Sequence, residues 1–131
     1  MTYLLDTNTV SFLFRGNEPV SRRLASTPIE QVAISVMTEA ELEYGLASRP
    51  QATRLRHAVD EFLRRATVID WTREDARCYG ALRARLEKRG VAIAALDLLI
   101  ATQALRLDAT LISNDQCFRR ITGLKLDDWT V

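Results

Sequence analysis

The chain has 131 residues, 47% hydrophobic and 27% charged, with a net charge of +1; this suffices for one packed core without disulfides and excludes a polycationic nucleic-acid binder or an acidic tail. All but two of its 18 basic residues are Arg, the exceptions being Lys88 and Lys125; the planar guanidinium fork suits phosphate, and a GC-rich genome gives the same bias. Cys78 and Cys117 form no CxxC pair and follow no signal peptide, no apolar run reaches the ~18 residues of a membrane span, and the lone His57 excludes histidine triads and multi-histidine zinc sites, so a reduced, cytoplasmic protein is expected.

Tyr3-Leu4-Leu5 is an unbroken apolar run of the kind a strand buried on both faces requires, and Asp6 stands where it ends. Thr9 to Arg15 is predicted helical, capped by Asp6 or Thr7 and ended by Gly16-Asn17. A second helix runs from Pro19, at its first position, to about Ser26, with Val20 and Leu24 inward. Thr27-Pro28 breaks the chain. Val32 to Val36 is β-rich and makes the second strand, leading into a helix from Thr38 to Leu46 in which Thr38 and Glu41 have capping-box spacing. After Arg49-Pro50 comes a helix of about Gln51 to Arg65, with Leu55, Val59, Phe62 and Leu63 on its buried stripe. Thr67 to Asp70 is a short third strand near an edge.

Thr72 then caps a helix that turns Ala76, Tyr79, Leu82 and Leu86 inward and carries basic residues around the remainder; Gly90 closes it. Val91 to Leu96 runs into Asp97, which opens a helix apolar on most of its circumference and hence buried. Thr110 to Ser113 is the fourth strand, followed by Asn114-Asp115. Phe118 and Ile121 carry a short helix, and Leu124 to Leu126 makes a last edge strand before Trp129. This alternation predicts an α/β fold of three layers, α/β/α, with a mostly parallel central sheet of four to five strands, in a single domain covering residues 1–131.

Parallel strands would collect Asp6, Glu41, Asp97 and Asp115 at one edge of that sheet, where ligands of open α/β sheets bind. Each has an ordinary role as well. Asp6 and Asp97 could be helix N-caps, Glu41 the capping partner of Thr38, and Asp115 a turn residue after Asn114. Four coincidences at matching ends of successive elements favour a site. Glu39 and Glu43 share another helix face, whereas Glu41 lies toward Gly45, where a missing side chain leaves room. Crowded carboxylates repel one another unless a cation neutralises them, and carboxylates without histidine or thiolate select Mg²⁺ or Mn²⁺, ions suited to phosphodiester hydrolysis.

The stretches Leu4-Leu5-Asp6-Thr7-Asn8, Ile34-Ser35-Val36 with Ala40-Glu41-Leu42-Glu43-Tyr44-Gly45, Ile93-Ala94-Ala95-Leu96-Asp97-Leu98-Leu99-Ile100-Ala101, Leu111-Ile112-Ser113-Asn114-Asp115 with Phe118, and Gly123-Leu124 with Asp128-Trp129 follow one another as the motifs of the PIN-domain ribonucleases do. Within that family the chain most resembles the VapC-type toxins of type II toxin–antitoxin systems. The resemblance covers essentially the whole chain and departs at Ala95-Leu96, where many relatives have Gly-Pro. It implies a metal-dependent endoribonuclease, active on structured RNA such as tRNA, with Asp6, Glu41 and Asp97 as principal acids and Asp115 as the fourth. Asn8, Thr7 and Asn114 match polar positions that help hold the site. A cognate VapB-type antitoxin and a homodimer are implied as partners, and Arg22, Arg23, Arg49, Arg54, Arg56, Arg83 and Arg119 are expected to supply phosphate or antitoxin contacts.

Two other classes compete. Asp6-Thr7-Asn8-Thr9 is one residue from the DxDxT loop of haloacid-dehalogenase-like phosphoaspartyl phosphatases, but Asn8 removes the general acid and no Lys lies between Leu5 and Arg85 to meet the phosphate. A catalytically silent PIN-like RNA-binding scaffold is disfavoured by the presence of all four acids.

Overall fold

Short apolar runs separated by amphipathic helices can bury both faces of a sheet only if the helices divide between them. In the computed structural model, which describes all 131 residues, the strands β1 (Tyr3–Leu5), β2 (Val32–Ser35), β3 (Thr67–Ile69), β4 (Thr110–Ile112) and β5 (Lys125–Asp127) form one sheet in the order β3-β2-β1-β4-β5. Every pairing is parallel. The helices are α1 (Thr7–Phe14), α2 (Glu18–Ala25), α3 (Val36–Ala47), α4 (Thr53–Arg65), α5 (Arg73–Lys88) and α6 (Ala95–Arg106), with 3-10 turns at Ile29–Gln31 and Gln116–Arg120.

Alternation along the strands sets the layers. Leu4, Ala33 and Leu111 face Leu82 and Leu86 of α5, Leu98 and Ala101 of α6, and Phe118. Leu5, Val32, Ile34 and Ile112 face Val10 of α1, Val20 of α2, Leu42 and Leu46 of α3, and Val59 and Phe62 of α4. The result is the expected three-layer α/β/α sandwich, with β3 and β5 at the edges. No helix is long and apolar enough to cross a membrane.

Local departures from expectation have identifiable causes. β2 ends at Ser35, whose hydroxyl accepts the Met37 amide at 3.0 Å and starts α3 two residues earlier than predicted. Thr38 is therefore inside the helix and buried, and the Thr38–Glu41 capping box does not form. Asn17, not the chain just before Pro19, caps α2, which puts Pro19 at the second helical position. α6 starts at Ala95 without a side-chain cap, so Asp97 is its third residue and not its cap.

In the first turn of α5 the residue facing the interior is Asp75, 0% exposed, while Ala76 is exposed. Asp75 closes a capping box with Thr72 and pairs with Arg106 of α6, while the Gln103 amide donates to it at 3.3 Å. Burial alone would raise this carboxyl. Hydrogen bonds from Arg106, Thr72 and Gln103, together with the Arg106 charge, outweigh it and hold Asp75 below the usual carboxylate range.

Candidate active site

The chain leaves β1 on one side to build β2 and β3, then crosses back to place β4 and β5 on the other. That reversal opens a crevice at the carboxyl ends of β1 and its neighbours. Asp6 stands there because the sheet ladder runs one residue past β1: its amide donates to the Ile112 carbonyl at 3.1 Å. Its side chain caps α1, Oδ1 accepting the Thr9 amide at 2.8 Å, while the Thr9 hydroxyl donates to the Ile112 carbonyl at 3.0 Å. Asp6 is only 3% exposed. Burial, the largest influence, and the Asp115 charge raise its carboxyl, against opposing hydrogen bonds from Ser113 and Thr9.

Asp115 follows β4 and caps the 3-10 turn, its Oδ1 accepting the Cys117 amide at 3.0 Å while its own amide donates to Ser113 Oγ at 3.0 Å. Asp97 reaches the same crevice from the first turn of α6. A carboxylate oxygen of each and the Cys117 sulfur all lie within 4.8 Å of one another. Asp97 makes no side-chain hydrogen bond or ion pair. A helix N-terminus should favour its charge, yet its carboxyl is raised, by burial first and then by the charges of Asp115, Asp6 and Glu41. The four predicted acids are thus electrostatic neighbours.

Glu41 is exposed on the second turn of α3, and Glu43 is separated from it in role. The Glu43 carboxylate is bound by Arg56 at 2.8 and 3.1 Å, whereas none of the protein's ion pairs touches Asp6, Glu41, Asp97 or Asp115. Four carboxylates without a protein counter-charge form a donor set that fits a bound divalent cation. Without a metal the Cys117 sulfur beside them stays a thiol: burial, the hydrogen bond to Asp115 and the surrounding carboxylates push it up to about 12. The carboxylate oxygens of the site suit a hard ion.

Among the predicted supporting residues, Thr7 is engaged, its hydroxyl 3.1 Å from that of Thr38, tying α1 to α3. Asn8 is exposed and shares a groove with Glu41; Asn114 is half-buried between Ser113 and Asp115 and makes no side-chain hydrogen bond. Ser113, Thr9 and Cys117 join the site beyond the residues the sequence points to. For Thr9 the signal existed, since it stands three residues after a capping Asp; the other two enter the site only through the turn after β4. Of the basic residues expected to make external contacts, Arg22, Arg23, Arg56 and Arg83 are instead paired with Glu18, Asp127, Glu43 and Glu87. Arg49, Arg54 and Arg119 have no acidic partner.

Comparison with known proteins gives the same outline. The sequence pattern of the PIN domain matches residues 3–124. The chain is similar to ribonuclease VapC2 of Rickettsia felis, 36% identical with 98% of each chain covered, and to the tRNA(fMet)-specific endonuclease VapC of Salmonella typhimurium, 28% identical with 98% of each covered. Its fold is similar to that in the crystal structure of VapBC2 from Rickettsia felis bound to a DNA fragment from their promoter, with a TM-score of 0.87, 33% identity, and 98% of this chain and 99% of that one covered.

Proposed function

The chain belongs to the PIN-domain family, among its VapC-type ribonucleases, and from that premise we propose that Asp6, Glu41, Asp97 and Asp115 hold Mg²⁺ or Mn²⁺ and hydrolyse RNA phosphodiester bonds endonucleolytically. The observation that carries this is the crowding of four carboxylates with no protein cation among them; burial first, and neighbouring carboxylate charge second, raise the Asp6 and Asp97 carboxyls. When bound, such an ion supplies positive charge for phosphate oxygens and acidifies water at neutral pH.

The chain's own part is positional. Thr9 and Ser113 hydrogen-bond to Asp6 and favour its ionised form at the centre of the site, and Ser113 also anchors the turn that presents Asp115. Asp97 and Glu41, free of protein hydrogen bonds, keep their oxygens for the ion. Thr7, through Thr38, fixes the approach of α1 to α3, while Asn8 faces incoming substrate and Asn114 spaces Asp115 from the strand.

Structured RNA such as tRNA is the proposed substrate class, supported by the name of the Salmonella relative. A VapB-type antitoxin is the proposed partner, supported by the similar chain's occurrence in a VapBC complex. The active unit is one PIN domain of residues 1–131, paired as a homodimer in the cytoplasm. The test is incubation of the purified chain with tRNA: cleavage with Mg²⁺ or Mn²⁺, none with chelator, and none by Asp97→Asn with either ion. Cleavage in chelator by a metal-free preparation would sink the metal assignment, and no cleavage of any RNA would sink the function.

A further inference from the structure

Glu41 is not alone on its face of α3. Tyr44 and Gly45, three and four residues on, project beside it, and Arg49 follows just beyond the helix end. There a groove of about 630 Å³ opens between α1, α3 and α4, with Thr7, Asn8, Arg15, Glu41, Tyr44 and Arg49 in its walls. Its volume lies within the ~300–1,000 Å³ of ordinary ligand pockets. The groove shares Glu41 with the acidic edge, so whatever lies in it continues into the candidate active site.

Three features of the lining bear on what that is. Tyr44 is 72% exposed and is the one aromatic among the large hydrophobic side chains left in water; no packing role accounts for its ring. A Cβ added at the neighbouring Gly45 would meet nothing within 4 Å, so the helix backbone beside the ring is bare and open. Arg15, its guanidinium 4.8 Å from the Phe12 ring centroid, and Arg49 have no acidic partner, although Arg56 on the adjacent helix is neutralised by Glu43 and Asp60. An exposed ring flanked by unpaired guanidinium groups is the pairing that single-stranded nucleic acid requires, since every base has a face to stack and every linkage a charge to meet.

Charge favours RNA over a peptide. A polyanion approaching Glu41 is repelled everywhere except where a cation compensates; the cation-binding acids meet one phosphate, and the next along the strand needs the positive charge that Arg15 and Arg49 hold in reserve. We propose that this groove is the subsite for an unpaired nucleotide flanking the cleaved linkage of the RNA substrate, its base stacked on Tyr44 and its neighbouring phosphates held by Arg15 and Arg49. The proposal rests on the nuclease reading above. It places an unpaired base there with little demand on base identity at that position.

The test measures binding and cleavage separately. With Asp97→Asn as a non-cleaving background, a short labelled single-stranded RNA of mixed sequence is titrated by fluorescence anisotropy, and a second RNA carrying a fluorescent adenine analogue reports stacking. Tyr44→Ala is expected to weaken binding about tenfold and to abolish quenching of the analogue, while Tyr44→Trp retains both. Arg15→Ala and Arg49→Ala should each lower the slope of log affinity against log salt by about 0.7, whereas Arg73→Ala on α5, across the sheet, leaves it unchanged. In the cleaving protein, Tyr44→Ala should raise KM for tRNA more than it lowers kcat. If the wild type cleaves RNA but Tyr44→Ala keeps affinity, quenching and KM, the subsite is overturned and the nuclease stands. If stacking and salt effects appear but no RNA is ever cleaved, the groove binds RNA but flanks no cleaved linkage, and the proposal falls together with the nuclease reading. Should Tyr44→Ala lose only self-association or capture of a partner protein, the groove is a protein-docking face and the proposal is overturned.

Discussion

Asp97 and Asp115 each bring a carboxylate oxygen to within 4.8 Å of the other, one from the start of α6 and the other from the turn after β4, with no positive side chain between them. Such proximity costs on the order of a few kcal/mol at an effective dielectric near ~20, before solvent screening. A cation removes that cost, and so does a proton.

The pH dependence of the metal-free protein follows. Asp6 and Asp97 have folded-state carboxyls raised above their unfolded values, burial being the main cause for both. The folded state therefore holds protons that the unfolded state releases, and the stability this contributes is fully present below about pH 3.9 and lost as pH rises through the raised folded values. In chelator, the melting temperature should fall between mildly acidic and neutral pH, and Mg²⁺ at neutral pH should restore it by binding only the folded form. Thermal melts across this range check both effects; a melting temperature flat or rising toward neutrality would contradict them.

Asp97→Asn should raise the neutral-pH melting temperature in chelator, by about 3–6 °C for each kcal/mol of repulsion relieved, while abolishing cleavage. Because Asp97 does not cap α6, no capping bond is lost. A mutant that melts below wild type in chelator, and responds to Mg²⁺ equally, would make Asp97 an ordinary helix residue.

Asp6→Asn separates capping from chemistry. Asn accepts the Thr9 amide as well as Asp does, so the loss in stability should stay near or below about 1 kcal/mol, with circular dichroism unchanged and cleavage gone. Retained cleavage would remove Asp6 from the proposed site.

Glu41→Gln should abolish or severely reduce turnover, and Glu43→Gln should leave it within about twofold, because the Glu43 carboxylate is occupied by Arg56. Parallel assays of the two variants decide; an inactive Glu43→Gln would put the wrong acid in the site.

Cys117 should behave as a bystander. Its thiol, pushed up to about 12, should be carbamidomethylated only slowly by iodoacetamide at pH 8, and Cys117→Ser should cleave RNA with Mg²⁺ at near wild-type rates. Rapid labelling, or loss of activity in the Ser variant, would make the sulfur a working ligand.

How much of this was readable beforehand depends on the range of the interaction responsible. β1, with its unbroken apolar run, and the edge positions of β3 and β5 follow from local hydrophobicity and order along the chain. So does the placing of Asp6 after β1 and Asp115 after β4 at one edge of the sheet, because parallel strands align their ends without regard to detail; Asp97 joins Asp115 from α6, and Glu41 stands on α3. Boundaries were less legible. Val36 is β-branched and extends the apparent strand, but the Ser35 hydroxyl caps first and makes it helical. The inward turn of Asp75 was not readable, since its partners Arg106 and Gln103 lie on another helix and no pattern within α5 announces them. Ser113 and Cys117 join the site through the geometry of one turn, which composition does not encode.

The strand order also sets a schedule. β1 is made first, yet its partner on one side, β4, pairs with it through Tyr3↔Thr110, Leu4↔Leu111 and Leu5↔Ile112, close to the end of the chain. Until those residues leave the ribosome, Asp6 has no Ile112 carbonyl to fix its backbone and no Asp115 beside it. A growing chain can pair β1 with β2, and β2 with β3, and still carry an incomplete acid set. The acid set is complete only once β4 has joined β1, a pairing between distant parts of the chain.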